Sequence, residues 1–82
     1  MKIEVLGTGC TKCRKLQALV EQVVAEQGLD AEVTKVEKVD EIMQYGVAFT
    51  PALVIDGEVK ASGGLPRVAQ IEAWLLAAAA ER

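Results

Sequence analysis

Two cysteines, Cys10 and Cys13, stand between a short apolar run that ends at Leu6 and a helical pattern that begins at Thr11 or Lys12. This placement at a strand-to-helix junction constrains the fold more than the Cys-x-x-Cys spacing does. A helix N-terminus presents unpaired N–H groups and partial positive charge, and both favour a thiolate over a thiol. The thiolate is the nucleophile of disulfide exchange and also the ligand form for soft metals. The chain is therefore built for sulfur chemistry, by exchanging electrons or by holding an ion.

Eighty-two residues suffice for one small domain with a thin stability margin. A hydrophobic fraction of 51% supplies a core, and a charged fraction of 26% does not suggest disorder. The net charge of −3, with scattered lysines and arginines, lacks the basic face of a nucleic-acid binder. The absence of histidine removes imidazole ligands and bases. With an apolar stretch starting at Ile3, no signal peptide is expected, and no apolar run approaches membrane-spanning length. A cytoplasmic protein without membrane association is expected. In that compartment a lone Cys-x-x-Cys is more often catalytic or metal-binding than structural, and a disulfide closing so short a loop adds little chain-entropy stabilisation.

Local pattern divides the chain into seven elements. Residues 2–6 read as a strand broken by Gly7-Thr8-Gly9. Leu16, Leu19, Val20, Val23 and Val24 recur on one face of a helix that Gly28 stops. Residues 31–36 read as a second strand, although Val33 and Val36 do not alternate cleanly. Asp40 is a candidate cap for a short helix to about Tyr45, with Val39 packing back on its first turn. Residues 52–55 and 58–61 read as a hairpin about Asp56-Gly57. Pro66 suits the first turn of a last helix, reaching to about Ala80, with Val68, Ile71, Leu75 and Ala78 on its inner side. The order βαβαββα predicts an α/β fold, in which a four-stranded mixed sheet carries helices on both faces. Its first two strands are parallel through a right-handed crossover.

Cys10 at the helix start is the accessible attacking thiol, and Cys13, one turn inside, is the resolving thiol. Lys12 adds positive charge beside them. Lys12, Arg14 and Lys15 form a basic cluster that either steers anionic partners or is a solvated helix start. Thr50-Pro51 precedes an apolar strand. An X–Pro bond is ordinarily trans, whereas a cis bond here would set the Thr50 backbone beside the sulfurs, where a partner chain could pair with it. Glu4, six residues before Cys10, reads most simply as a solvated or edge-facing strand charge, and otherwise as a proton acceptor. Tyr45 and Phe49 read as packing residues or as walls of a groove, and Trp74 as core or partial surface.

Together, Gly7-Thr8-Gly9-Cys10-Thr11-Lys12-Cys13 after the first strand and Thr50-Pro51 before the hairpin resemble the thioredoxin superfamily. The similarity is to its small, glutaredoxin-sized, GxGCxxC-type members and covers nearly the whole chain, 1–82, as one thioredoxin-like domain. The resemblance implies a cis Pro51 and a redox-active Cys10–Cys13 disulfide, with Cys10 nucleophilic and Cys13 resolving. Gly9, Thr11, Lys12, Thr50 and Pro51 then support the site, and Thr8, Gly63 and Gly64 are candidates to line a partner groove. It further implies a monomeric thiol–disulfide oxidoreductase that needs no bound cofactor or metal. Protein disulfides would be its substrates, and a thioredoxin-reductase-type donor would return the electrons. Larger thioredoxins carry a buried carboxylate near the position of Glu4.

Two departures stand out. Gly9 and Thr11-Lys12 replace the usual Trp-Cys-Gly-Pro-Cys run, and that intervening pair helps set the potential. Leu65-Pro66-Arg67 follows Gly63-Gly64 without the acids of glutathione-binding glutaredoxins. The competing reading is a copper(I) carrier using the same two thiolates. Heavy-metal-associated domains run βαββαβ and end on a strand, so the character of the last element separates the two.

Overall fold

A computed structural model describes residues 1–81. Arg82, the last residue of the expected domain, lies outside the described residues. The elements follow as β1 (Lys2–Leu6), α1 (Thr11–Glu26), β2 (Glu32–Val36), α2 (Val39–Gln44), β3 (Ala52–Ile55), β4 (Glu58–Ser62) and α3 (Val68–Ala80). The last element is a helix, as the redox order requires and the metal-carrier order does not.

The sheet runs β2-β1-β3-β4. β1 and β2 are parallel, with Ile3 opposite Val33 and Leu6 opposite Val36. β3 is antiparallel to both β1 and β4. Side chains alternate across a strand, so Ile3, Val5, Leu53 and Ile55 face one way and pack with Leu16, Val20 and Val23 of α1 and with Ile71 and Leu75 of α3. Leu6, Val36, Ala52 and Val54 face the other way, against Ile42 of α2. Helices therefore cover both faces. Val33 and Val36 are three residues apart and must lie on opposite faces, each of them covered, which is why no clean alternation marks this strand.

α1 forms because its aliphatic residues repeat at helical spacing. Leu16, Val20 and Val23 are buried, each contributing roughly 1.5–3 kcal/mol relative to exposure. Side-chain bonds Gln17–Glu21 (2.9 Å) and Gln22–Glu26 (2.7 Å) brace its outer face. It ends in a Schellman pair, the Gly28 and Leu29 amides donating to the Ala25 and Val24 carbonyls. The β3–β4 turn has positive φ at both Asp56 (48°) and Gly57 (83°), the signature of a type I′ hairpin. Lys60 is the extra residue of a bulge, since Leu53 pairs with Ala61 and Val54 with Val59.

Two helix starts differ from expectation. α2 is capped by extended Lys38, not by Asp40, and the Lys38 side chain makes no capping bond. Asp40 and Glu41 lie inside the first turn, where their charge complements the helix dipole. Val39 is 60% exposed and does not pack back on that turn. At α3 the cap is Arg67, whose N–H donates to the Gln70 side chain at 3.1 Å, so Pro66 falls just before the helix and not in its first turn. Val68 is consequently surface-facing, while Ile71 and Leu75 are buried and Trp74 and Ala78 pack at the rim of the core.

Candidate redox site

The site is assembled where β1, α1 and the loop before β3 meet. β1 ends at Leu6, and the Gly7 amide continues the parallel ladder by donating to the Val36 carbonyl at 2.9 Å. Thr8 and Gly9 turn the chain into Cys10, whose extended backbone caps α1. The Arg14 amide donates to the Cys10 carbonyl at 3.0 Å, closing the first helical turn. The Cys13 amide donates to the Cys10 Sγ at 3.3 Å. Cys10 takes the role usually filled by a serine or aspartate oxygen, so its sulfur occupies the electropositive end of the helix.

Cys10 is exposed and Cys13 is 5% exposed. They are disulfide-bonded, with Cα atoms 5.1 Å apart. The inner sulfur leans on Gly7, where any Cβ would overlap the Cys13 Sγ and come within 3.8 Å of the Thr50 Cβ. Gly7, Cys13 and Thr50 thus converge on one point, and only glycine leaves room for the sulfur there. The Thr50–Pro51 bond is cis, matching what the resemblance implies.

A second junction lies beside the first. The Gly63 amide donates to the Pro51 carbonyl at 2.9 Å. Gly63 has φ of 88°, and a Cβ on it would come within 3.0 Å of the Phe49 Cβ. Phe49 therefore lies over Gly63 and is 69% exposed. This aromatic flanks the Thr50–Pro51 loop and is not core packing. Gly64 has open space where a Cβ would stand, and no contact ties it to the sulfurs. Thr8, Thr11 and Lys12 are exposed around Cys10.

Behind Cys13 a small pocket opens between α1 and β2, lined by Gly7, Gly9, Arg14, Lys35 and Glu37. Glu37 Oε2 stands 3.5 Å from where a Cβ of Gly9 would lie. Gly7 belongs to the sequence motif but has no role assigned to it there, and Lys35 and Glu37 border the site without any expectation from the sequence. A glycine at the end of an apolar strand signals close backbone approach and could have marked Gly7. Lys35 and Glu37 reach the pocket through the parallel crossover and carry no local signal.

Glu4 is neither solvated nor edge-facing: it is 7% exposed and accepts a hydrogen bond from the Tyr45 hydroxyl. β1 is an interior strand, and position 4 faces the α2 layer, so the carboxyl is largely withdrawn from solvent. Tyr45, at the C-cap of α2, supplies the donor it needs. The bond to Glu4, then burial, then the charges of Glu4 and Glu41 raise the Tyr45 phenol above its usual 10.0 and keep it a donor.

This arrangement defines a thioredoxin-fold dithiol–disulfide centre, and comparison with known proteins agrees. The family model described as a thioredoxin domain matches residues 1–76. A thioredoxin of Methanothermobacter thermautotrophicus (strain Delta H) is 42% identical over 63 residues, covering 77% of this chain and 82% of its own. A thioredoxin of Methanocaldococcus jannaschii is 39% identical over 70 residues, covering 85% of this chain and 80% of its own. The chain belongs to the thioredoxin family. It is, in general terms, a thiol–disulfide oxidoreductase. No described helix is long and apolar enough to cross a membrane.

Proposed function

We propose that the chain reduces protein disulfides with Cys10 as nucleophile and Cys13 as resolving thiol. The observation that carries this reading is the asymmetry of the pair: Cys10 is exposed at the cap with an N–H aimed at its sulfur, while Cys13 is buried against Gly7. In the reduced protein the Cys10 thiolate attacks one sulfur of a partner disulfide. The Cys10–partner S–S bond forms, the partner's own S–S bond breaks, and the first partner thiolate leaves and takes a proton from solvent. Cys13 then loses its proton and attacks the Cys10 sulfur. The Cys10–Cys13 bond forms and the second partner thiolate leaves, so two electrons pass to the partner.

Gly9 shapes the turn into Cys10, and Thr11 and Lys12 occupy the first turn of α1. Thr50 and Pro51 form one wall of the partner groove, with Thr8, Gly63 and Gly64 at its edges. Phe49 joins them as an exposed apolar contact. No bound cofactor takes part, because the dithiol itself holds the electrons. A thioredoxin-reductase-type donor restores the dithiol, and the chain works as a monomeric, single-domain carrier of the cytoplasm.

The test is a trapping experiment with a disulfide-bonded protein substrate. Cys13→Ser should accumulate a covalent adduct through Cys10 that dithiothreitol releases, and Cys10→Ser should accumulate none. Adducts through Cys13, or none with either variant, would overturn the assignment.

A further inference from the structure

Building on that reading, we propose that the site end of the molecule is a cationic docking surface for protein disulfides set among acidic side chains. The fold separates charge along the strands. β1 and β2 run toward the site, β3 runs away from it, and α1 and α3 both start near it. The site end therefore gathers Lys12, Arg14 and Lys15 from α1, Lys35 beside the Cys13 pocket, Lys38 at the cap of α2 and Arg67 at the cap of α3. The first turn of α1 contains no acid. None of these cations has an ion-pair partner among the described residues.

The acids at this end are Glu37, beside Arg14 and Lys35 in the pocket, Asp40 and Glu41 in the first turn of α2, and Glu72, as far into α3 as Lys15 is into α1. The Glu4 carboxyl is buried against Tyr45. Cations thus outnumber exposed acids around the sulfurs, although the whole chain carries −3.

The opposite end holds most of the remaining acids, with Glu21 midway along α1. Glu26 closes α1, and Asp30 and Glu32 lead into β2. Asp56 and Glu58 flank the hairpin turn, and Glu81 lines a groove with them. The basic groups there are Lys2, the amino terminus and Lys60, which pairs with Glu58 at 3.0 Å. The sixteen residues of α1 set the two ends roughly 24 Å apart at 1.5 Å per residue. That exceeds the Debye length of about 10 Å at 0.1 M salt, so a partner at the sulfurs is screened from the acids of the far end. Such a field raises encounter rates with oppositely charged surfaces and suppresses like-charged ones.

The chemistry matched to this surface is a cystine flanked by aspartate or glutamate on a polypeptide, with Phe49 giving the chain an apolar contact that a small disulfide would use less. The experiment takes pre-reduced full-length protein in single turnover against disulfide-linked peptides with acidic, neutral or basic flanks. Each rate is normalised to that of the same peptide with the uncharged thiol 2-mercaptoethanol. The acidic peptide should react fastest and the basic one slowest, with a spread on the order of tenfold at low salt that collapses at high salt. Lys15→Glu with Arg67→Glu should shrink or invert the spread and leave the neutral peptide's rate unchanged.

Equal normalised rates, or a basic preference, would overturn this inference while leaving the oxidoreductase reading intact. Oxidised glutathione reacting as fast as the acidic peptide would also overturn it, by assigning the surface to a small anionic disulfide. Failure to reduce even the neutral peptide would defeat both readings.

Discussion

On one face of the sheet α1 and α3 close over Ile3, Val5, Leu53 and Ile55, and every buried contact is aliphatic. On the other, the six-residue α2 covers Leu6, Val36, Ala52 and Val54 and must also accommodate the carboxyl of Glu4. The larger face holds most of the hydrophobic burial of the chain. The smaller face anchors, through Tyr45, the segment that leads to Thr50 and Pro51. The two meet at Gly7, where the inner sulfur rests on the end of β1. The division assigns stability chiefly to one face and the alignment of the loop before β3 chiefly to the other. In a chain this small, neither face has much margin.

Substitutions can break that division. The largest effect is expected from Leu53→Ala, which opens a cavity in the aliphatic face; about 2–5 kcal/mol of stability should be lost in urea titrations. What activity remains should track the folded fraction. A loss below 1 kcal/mol would show that this face is not where the fold is held. Next comes Gly7→Ala, which places a methyl group where the Cys13 sulfur sits. It should cost roughly 1–3 kcal/mol by overpacking. It should also slow Cys10–Cys13 disulfide formation more than the stability loss explains, because the inner sulfur has to move. Normal closure kinetics would mean that the Gly7 contact does not position the sulfur.

Tyr45→Phe sharpens the smaller face. It leaves the buried Glu4 carboxyl without its donor and should cost about 1–3 kcal/mol. Its pH signature has a definite sign. The Tyr45 phenol is raised above 10.0 in the folded protein, so the native state keeps the proton that the unfolded chain releases. That stability is complete below pH 10 and is lost as the pH climbs from 10 through the folded value. The alkaline arm of the wild-type stability curve should therefore flatten in Tyr45→Phe, and an unchanged arm would remove Tyr45 from the account. The smallest effect is expected at Val39→Ser, on an exposed position of α2. A change within about 0.5 kcal/mol would agree with its exposure, whereas a larger loss would restore the packing role that its position before Asp40 suggests.

The elements legible in the sequence are those whose cause is local. The helical repeat of α1, the type I′ turn at Asp56-Gly57 and the cysteines at a helix tip depend on neighbours a few residues away. So does the apolar stripe of α3 through Ile71 and Leu75. Thr50-Pro51 was legible only through resemblance, since an isolated Thr-Pro carries no cis signal of its own. What escaped local reading depends on layers brought together from afar. Glu4 looked like a surface charge because a strand pattern does not show that both faces of β1 are covered. Asp40 looked like a cap because capping preference is local. The exit of the chain from β2 at Val36 instead leaves Lys38 extended and starts the helix two residues earlier than an Asp40 cap would. For Phe49 the sequence leaves packing and groove wall both open, and its position over Gly63 with the residue exposed favours the second.

The proposed chemistry requires the two sulfurs to differ: Cys10 is exposed at the helix cap, and Cys13 is buried beneath it. Iodoacetamide labelling of the reduced protein as a function of pH, with the modified cysteine read by peptide mass, tests this directly. Cys10 should be labelled first, with a midpoint below the ordinary cysteine value of about 8.5, and Cys13 slowly. Labelling of Cys13 first, or equal rates with ordinary midpoints at both, would contradict it.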